Sequence, residues 1–442
     1  MRPWLAIVSC LATLAACDDP ASPPTPPPTS SPSSAAAGSA ASAAPGPGTL
    51  RPAAATVPLE HAKADLQALA TELPKRHKNL FFRLSEAQWK AAVQELEAEI
   101  PKLTKVELAA RLAALVASVG DGHTELSLDT LPGFRRYPVM LHAFSDGLYI
   151  ANAAKQHAGF RGKRVTRIGK LDTAAAQSAV APLIAHDNAS NLASRVPVHL
   201  VIPEVLQAAG IIDDPEKVRF VTADGGTLEL EPVESWRKVT WAKPSEPLPH
   251  YRRKPRQHYW NDYLAEDKAL YFKYNVCADE KSPAMSFQKL VDGTLGFMKQ
   301  KPVERFIIDL RDNGGGNSTI AAPLIQALAA HPTLNQPGRI YVIIGRQTFS
   351  SAVLNTLELK QKTKALTVGE PTGGKPNHYG EVKRFTLPHS GWSVSYSTKL
   401  FKAAQVQGDP DSIVPDIPVK VTGADYFAGR DPVLEAALRH QP

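Results

Sequence analysis

Hydrophobic positions recur at helical spacing from residue 59 to about residue 119. Two runs keep a 4-3-4 spacing: Ala62, Leu66, Leu69 and Leu73, and then Trp89, Val93, Leu96 and Ile100. The sequences SEAQ (85–88) and TKVE (104–107) are capping boxes that start helices, and Pro74 and Pro101 mark helix ends. The pattern predicts three helices within a helical region that spans residues 59–128.

The hydrophobic pattern changes after residue 128. Short alternating runs such as GLYIANA, KRVTRIG and KVRFVTA lie between turns that contain Gly and Asp. They predict a β-rich region over 129–235, and the segment GFRGKRVTRIGKLD (159–172) resembles the hairpin of a PDZ-like module.

From residue 236 to 442, apolar strands alternate with helices. RFIIDL (305–310), RIYVIIG (339–345) and ALTVG (365–369) are continuous apolar runs, and the first two precede helical stretches. Such strands are typical of a parallel sheet that is buried on both faces. The chain is therefore predicted to have an α/β core, with sites at the carboxyl ends of its strands.

The N-terminus has the pattern of an export signal. Residues 1–17 place Arg2 before a short apolar run, and LAAC (14–17) resembles a bacterial lipobox, which predicts lipidation of Cys17. The alternative is a plain signal peptide cleaved nearby. Residues 18–58 are rich in Pro, Ser and Ala and predict a disordered tether, so the body is expected to be anchored at the cell envelope of a bacterium.

Composition narrows the class of protein. The 442 residues exceed one ordinary core, and 43% hydrophobic with 21% charged residues is typical of a soluble globular protein. The net charge of +7 owes much to HYRRKPRQHYW (250–260), but no nucleic-acid motif accompanies that cluster. Once Cys10 leaves with the signal peptide and Cys17 carries lipid, Cys277 has no partner for a disulfide and is expected to be a buried thiol.

Two strand ends carry candidate chemistry. Ser350 follows RIYVIIG at a strand-to-helix turn, where a hydroxyl is exposed beside free helix N–H groups. The alternative role for Ser350 or Ser351 is a helix cap. The glycines at 314–316 follow RFIIDL, which indicates a close approach to the main chain. No phosphate-loop motif and no ligand spacing around His123 is present, so neither a cofactor nor a metal is predicted.

Four motifs, taken together, resemble a known family. IIDLRDNGGGNS, GRQTFSSAV, VGEPTGGKP and DGHT occur in the order and spacing of the C-terminal processing (tail-specific) serine peptidases and the related tricorn-type peptidases. The resemblance covers most of 59–442 and implies a crotonase/ClpP-like core that cleaves polypeptides by serine acyl transfer. It implies that Ser350 is the nucleophile and that the N–H groups of Ser351 and Gly315 form the oxyanion hole.

The resemblance leaves two candidates for the general base. The processing branch implies Lys375 in GEPTGGK, whereas the tricorn-like branch implies His123, with Asp409 or Asp411 as the acid. A lysine base needs a pKa lowered by about 3 units, or roughly 4 kcal/mol, and a histidine needs almost no shift. We therefore expect His123 to be the base and Asp409 its acid, with Lys375 as the alternative base.

Together, the sequence patterns and the resemblance predict a lipid-anchored envelope serine endopeptidase that acts on unfolded or C-terminal peptide segments. Three alternatives remain: a non-catalytic binding protein on the same fold, an esterase, and a nucleotide-binding protein that uses the three glycines. Oligomeric state is not predicted.

Overall fold

The structure is a computed structural model that describes residues 57–403 and 407–441. The predicted signal peptide with Cys17, and residues 18–56 of the predicted tether, lie outside the described residues. Within the described ranges, no helix is long and apolar enough to cross a membrane.

The three predicted N-terminal helices are present as α1 (Leu59–Arg76), α2 (Glu86–Glu99) and α3 (Lys105–Ala117). Both predicted capping boxes form, since Ser85 caps α2 and Thr104 caps α3. The end predicted at Pro74 is wrong, because α1 continues through it to Arg76. Pro74 has no N–H to donate to Ala70, and the Ala70 carbonyl instead accepts a hydrogen bond of 3.4 Å from the Trp89 indole.

The β-rich region contains a six-stranded antiparallel sheet of order β1-β2-β3-β5-β6, with β4 paired to β3. Its strands are β1 (Val139–Phe144), β2 (Gly147–Ala153), β3 (Arg164–Ile168), β4 (Leu171–Asp172), β5 (Val218–Thr222) and β6 (Thr227–Leu230). Three helices that the sequence pattern did not predict lie between β4 and β5: α4 (Thr173–Val180), α5 (Ala189–His199) and α6 (Pro203–Ala208).

The remaining elements all follow residue 258. The strands are β7 (Tyr259–Leu264), β8 (Ala269–Tyr274), β9 (Arg305–Asp309), β10 (Ile340–Ile344), β11 (Leu366–Gly369), β12 (His378–Thr386), β13 (Ser393–Phe401) and β14 (Ile417–Pro418). The helices are α7 (Phe287–Met298), α8 (Ala322–Ala330), α9 (Ser351–Lys362), α10 (Gly423–Phe427) and α11 (Pro432–Arg439).

Six of these strands form the predicted parallel sheet, in the order β14-β11-β10-β9-β8-β7. All neighbours are parallel except β7, which pairs antiparallel with β8. Alternate residues of β10 enter different clusters: Val342 packs in the cluster that contains α7, α8 and α9, and Tyr341 packs in the cluster that contains α11. The sheet is therefore buried on both faces, which confirms a mixed α/β fold, while the crotonase/ClpP-like core and the PDZ-like hairpin stay predictions.

Strands β12 and β13 form a separate two-stranded ribbon that reaches the N-terminal region. Leu387 and Trp392, in the turn of the ribbon, pack in one hydrophobic cluster with α1–α3 and the antiparallel sheet. Ser395 of β13 also forms an antiparallel bridge with Glu125, just after α3. The ribbon thereby brings the segment around His123 to the side of the parallel sheet.

Candidate active site

Three parallel strands, β9, β10 and β11, end beside one another, and each is followed by one of the predicted motifs. RDNGGGN follows β9, GRQTFSS follows β10 and EPTGGK follows β11. The turn after β10 is fixed by Thr348, whose hydroxyl donates to the Leu310 carbonyl at 2.8 Å and accepts from Gly345 N–H at 3.0 Å. The motifs thus meet at the carboxyl edge of the sheet, where α/β proteins form their sites.

Ser350 occupies the residue before α9 in an unusual backbone conformation. Its φ of 51° and ψ of −124° lie in a region that glycine favours, so the turn is sharp and strained. Its side chain forms no capping hydrogen bond. Ser351 instead directs its hydroxyl to the Gly316 carbonyl at 2.5 Å. Ser350 therefore occupies the cap position of α9 without acting as its side-chain cap.

Two glycines approach Ser350 so closely that no side chain would fit. A Cβ atom on Gly315 would lie 2.7 Å from Ser350 Cβ and 3.0 Å from Ser351 N, and one on Gly374 would lie 3.1 Å from Ser350 N. Packing against the serine turn thus explains Gly315, whereas Gly316 packs against Cys277, whose carbonyl oxygen would lie 2.3 Å from a Cβ atom there. The Gly315 N–H, expected to face an oxyanion, donates to Asn313 Oδ1 at 2.9 Å, so it is engaged in this conformation. Within residues 57–403 and 407–441, Ser351 N–H makes no hydrogen bond.

His123 lies against the serine turn, although it comes from the segment after α3. Its ring stacks on Phe349, the residue before Ser350, with ring centroids 4.5 Å apart. Neither ring nitrogen has a hydrogen-bond partner among the described residues, and both are buried. The nearest carboxylate is Asp121, whose Oδ1 lies 3.7 Å from Nδ1. Burial opposes protonation, but Asp121, Asp187 and Glu125 outweigh it and raise the pKa of His123.

Asp121 is the centre of a buried hydrogen-bond network. Its Oδ2 accepts from His77 Nε2 at 3.1 Å, from the Thr124 hydroxyl at 2.5 Å and from the Ser397 hydroxyl at 2.6 Å. Although burial raises the pKa of Asp121, the nearby His123 imidazole and hydrogen bonds from His77 and Ser397 hold that pKa well below its usual range. Asp121 is therefore a fixed anion beside the imidazole.

Asp187 is a second buried carboxylate that the sequence analysis missed. Its Oδ1 accepts from Gly122 N–H at 2.7 Å, and its Oδ2 accepts from Lys375 N–H at 3.5 Å. Burial raises the pKa of Asp187. It connects the DGH turn to the GGK turn from a position 65 residues after Gly122. No local spacing could have revealed it, whereas Asp121, two residues before His123, was visible in the DGHT motif.

Asp409 and Lys375 are brought together, but not as the sequence analysis expected. Lys375 Nζ donates to Asp409 at 2.9 Å and to Asp411 at 3.1 Å. The assignment of Asp409 as the acid of His123 is not supported, because this carboxylate binds the lysine and Asp121 takes the place at the histidine. Two acceptors on one amine suit an ammonium group, not the free lone pair that a general base requires.

A pocket of about 490 Å³ opens beside Asp121, Asp187 and Lys375, and neither Ser350 nor His123 is among the described residues that line it. Charged residues in its lining include Arg83, Asp121, Asp187 and Lys375, and apolar or aromatic ones include Phe82, Tyr379 and Leu400. The pocket is large enough for several side chains of an extended peptide or for a small ligand.

No protein-family model and no curated protein matches the chain. Solved structures do. Mature CPAF complexed with lactacystin is 14% identical, covers 86% of this chain and 98% of its own, and has a TM-score of 0.60. Mature CPAF is 13% identical over 86% and 97% of the two chains, with a TM-score of 0.61.

The photosystem II D1 C-terminal processing protease is less similar, with a TM-score of 0.39. It is 11% identical over 84% of this chain and 98% of its own. The chain therefore has the fold of CPAF over most of its length.

Proposed function

We propose that the protein is a serine endopeptidase in which Ser350 is the nucleophile and His123 the general base. One observation carries the proposal: the His123 imidazole, whose ring nitrogens have no hydrogen-bond partner in the described chain, stacks on Phe349 in the strained turn that carries the uncapped Ser350 hydroxyl. Acyl-transfer sites combine a nucleophile, a base and a carboxylate that fixes the base, and here the contact of His123 with Phe349 brings the base to the turn that carries the nucleophile. The likeness to CPAF supports the fold on which this chemistry would operate.

The proposed reaction has two balanced halves. The Ser350 hydroxyl adds to the scissile carbonyl while its proton passes to His123, and the imidazolium then protonates the leaving amine as the C–N bond breaks. Water hydrolyses the acyl-enzyme through the same base, which returns the proton to Ser350. Asp121, 3.7 Å from Nδ1, stabilises the imidazolium in both halves because its carboxylate is anionic and fixed.

The oxyanion of the tetrahedral intermediate needs backbone donors. Ser351 N–H supplies one, since it lies in the first turn of α9 and makes no hydrogen bond within the described ranges. For Gly315 to supply the second, its N–H has to leave Asn313 Oδ1. A rotation of the Gly314–Gly315 peptide achieves this, and the absence of a Cβ atom at both positions makes it accessible.

Lys375 has a different role in this proposal. Its ammonium is bound by Asp409 and Asp411, and its backbone N–H by Asp187. It positions the segment 407–411 and the turn after β11 at the rim of the pocket. We propose that this pocket receives unfolded or C-terminal segments of a polypeptide substrate.

The test compares three alanine variants of the full-length protein on one unfolded, fluorescently labelled protein substrate. Ser350→Ala and His123→Ala are expected to lose activity by about 10⁴-fold, and Lys375→Ala by about tenfold or less. A His123→Ala variant with normal turnover beside an inactive Lys375→Ala variant would assign the base to Lys375. If wild type hydrolyses small esters but no peptide, the enzyme is an esterase, and if it hydrolyses neither, the proposed peptidase function is wrong.

We also propose that Cys17 is lipidated and anchors the protein at the cell envelope of a bacterium. The support is the LAAC sequence followed by a Pro/Ser/Ala-rich segment. Wild type expressed in a bacterial host should label with an alkynyl fatty acid and sediment with membranes, and Cys17→Ser should do neither. Equal labelling of both proteins would refute the anchor.

A further inference from the structure

The geometry points to a binding site for a divalent transition-metal ion, such as Zn²⁺, formed by Asp121, His123 and Asp187. One potential ligand atom from each residue lies within 4.8 Å of the other two. Ligand spacing in the sequence does not reveal this site, because Asp187 reaches the cluster from a distant part of the chain.

The imidazole provides the first argument. The His123 side chain is only 9% exposed, and both of its ring nitrogens are buried without a hydrogen-bond partner in the described part of the chain. A buried polar atom without a partner costs about 1–3 kcal/mol. The neutral ring always has one nitrogen with a free lone pair, and a metal ion is a partner for that lone pair.

The two carboxylates provide the second argument. Asp121 Oδ1 accepts one hydrogen bond of 3.0 Å from the backbone N–H of His123. Asp187 Oδ2 accepts one long hydrogen bond of 3.5 Å from the backbone N–H of Lys375. Each of these oxygens therefore keeps a lone pair. In the described ranges, neither carboxylate pairs with a lysine or arginine, so the local negative charge lacks a full counter-ion.

The combination of one imidazole and two carboxylates favours Zn²⁺ over Mg²⁺ and Ca²⁺. Zn²⁺ binds one imidazole nitrogen and carboxylate oxygens at about 2.0–2.2 Å in four-coordinate sites, whereas Mg²⁺ and Ca²⁺ prefer oxygen ligands alone. Three protein ligands leave one position for water, and the pocket lined by Asp121 and Asp187 gives access for it. The ligand atoms have to move closer together than in this structure, by small rotations of the side chains.

Metal binding would have a functional consequence, and this part rests on the proposed function. A metal ion on the His123 lone pair occupies the electron pair that receives the Ser350 proton. Bound Zn²⁺ would therefore inhibit the peptidase reversibly, and a chelator would restore activity.

Binding is tested without any use of activity. Full-length protein, treated with a chelator and exchanged into metal-free buffer, is titrated with ZnCl₂ in isothermal calorimetry and against a zinc-sensing dye. Wild type should bind one Zn²⁺ at this site, and both Asp187→Asn and His123→Gln should weaken that binding by about tenfold or more. Two variants are needed because Asp187 also orders the turns, and near-UV circular dichroism shows which of them retains the wild-type fold.

The matched control is His61→Gln, because His61 and His389 stack with ring centroids 4.1 Å apart and form a second place where zinc could bind. Its affinity for the site should equal that of wild type. The inference is overturned if zinc does not bind, or if binding is lost in His61→Gln and kept in both site variants. Zinc binding by a protein that cleaves no substrate would refute the proposed peptidase and leave the metal site intact, and an active enzyme that zinc neither binds nor inhibits would refute the metal site alone.

Discussion

The backbone of Ser350 is strained, and this conformation places the serine hydroxyl at the start of α9. At φ 51° and ψ −124°, a Cβ atom clashes with its own peptide, at a cost of about 1–3 kcal/mol. Ser350→Gly removes the Cβ atom, although glycine also gains entropy in the unfolded chain. We expect the free energy of unfolding of Ser350→Gly, measured by urea denaturation, to be about 1 kcal/mol higher than that of Ser350→Ala.

Both variants should be inactive as peptidases, since both lack the hydroxyl. A matched pair at Ser351, Ser351→Gly and Ser351→Ala, should show the opposite order, because Ser351 is the first residue of α9 and glycine weakens a helix. A Ser350→Gly variant that is less stable than Ser350→Ala by about 0.4–1 kcal/mol, the entropy cost of glycine alone, would show that the turn is not strained.

Individual site residues differ in how visible they are in sequence. Ser350, Gly315 and Lys375 lie in motifs at strand ends, so their meeting at one edge of the sheet follows from the parallel order of β9–β11. Asp187 does not, because nothing in its local pattern shows that it will accept from Gly122 and Lys375. The hydrogen bond from Gly315 N–H to Asn313 Oδ1 could not be predicted either, because it depends on the orientation of one peptide group, which the hydrophobic pattern does not determine.

At the level of elements, strand β13 holds the turn that carries His123. The Ser397 hydroxyl donates to Asp121 at 2.6 Å, and Ser397 N–H donates to the Thr124 hydroxyl at 3.3 Å. Ser397→Ala leaves Asp121 with one donor fewer and loosens the carboxylate beside His123. We expect kcat on a peptide substrate to fall by about tenfold, with KM nearly unchanged, and stability to fall by about 1 kcal/mol.

Ser395→Ala is the control, because Ser395 is on the same strand but joins the turn through its backbone bridge to Glu125. Its kcat should stay within twofold of wild type. If both variants lose activity equally, the ribbon acts through general stability and not through Asp121.

Helices and strands also differ in how fully the local sequence pattern predicts them. α2 and α3 begin at capping boxes, and the strands of the parallel sheet are continuous apolar runs, so short-range pattern was enough for both. α5 was missed, and it contains Pro197, which argues against a helix in any local analysis. Its conformation is stabilised by burial of residues such as Val196 and His199, which only the tertiary fold provides.

Over the whole molecule, the three sequence regions are not three separate cores. One hydrophobic cluster includes Leu69 of α1, Ile150 of β2 and Trp392 of the ribbon turn, so it joins the helical region, the antiparallel sheet and a segment of the α/β region. This sharing places Asp121 and Asp187 beside the strand ends of the parallel sheet. The candidate site therefore depends on contacts between distant parts of the chain, which explains why its carboxylates were the least predictable part.

Buried histidines should make the stability of the whole molecule sensitive to mild acid. Burial, then Arg346, lowers the pKa of His142 to about 4, and burial lowers that of His199 to about 4. A histidine that stays neutral in the fold is protonated in the unfolded chain below pH 6.5, so the unfolded state binds more protons and stability falls between pH 6.5 and 4. From pH 7.5 to 5, His142 should contribute about 1–2 kcal/mol of this loss. His142→Phe keeps the ring contacts with Phe144 and Tyr426, so the loss of stability between pH 7.5 and 5, measured by chemical denaturation, should be smaller by that amount. The control is His61→Phe, which changes an exposed histidine and should lose as much stability as wild type. Identical pH dependence in wild type, His142→Phe and His61→Phe would refute the assignment.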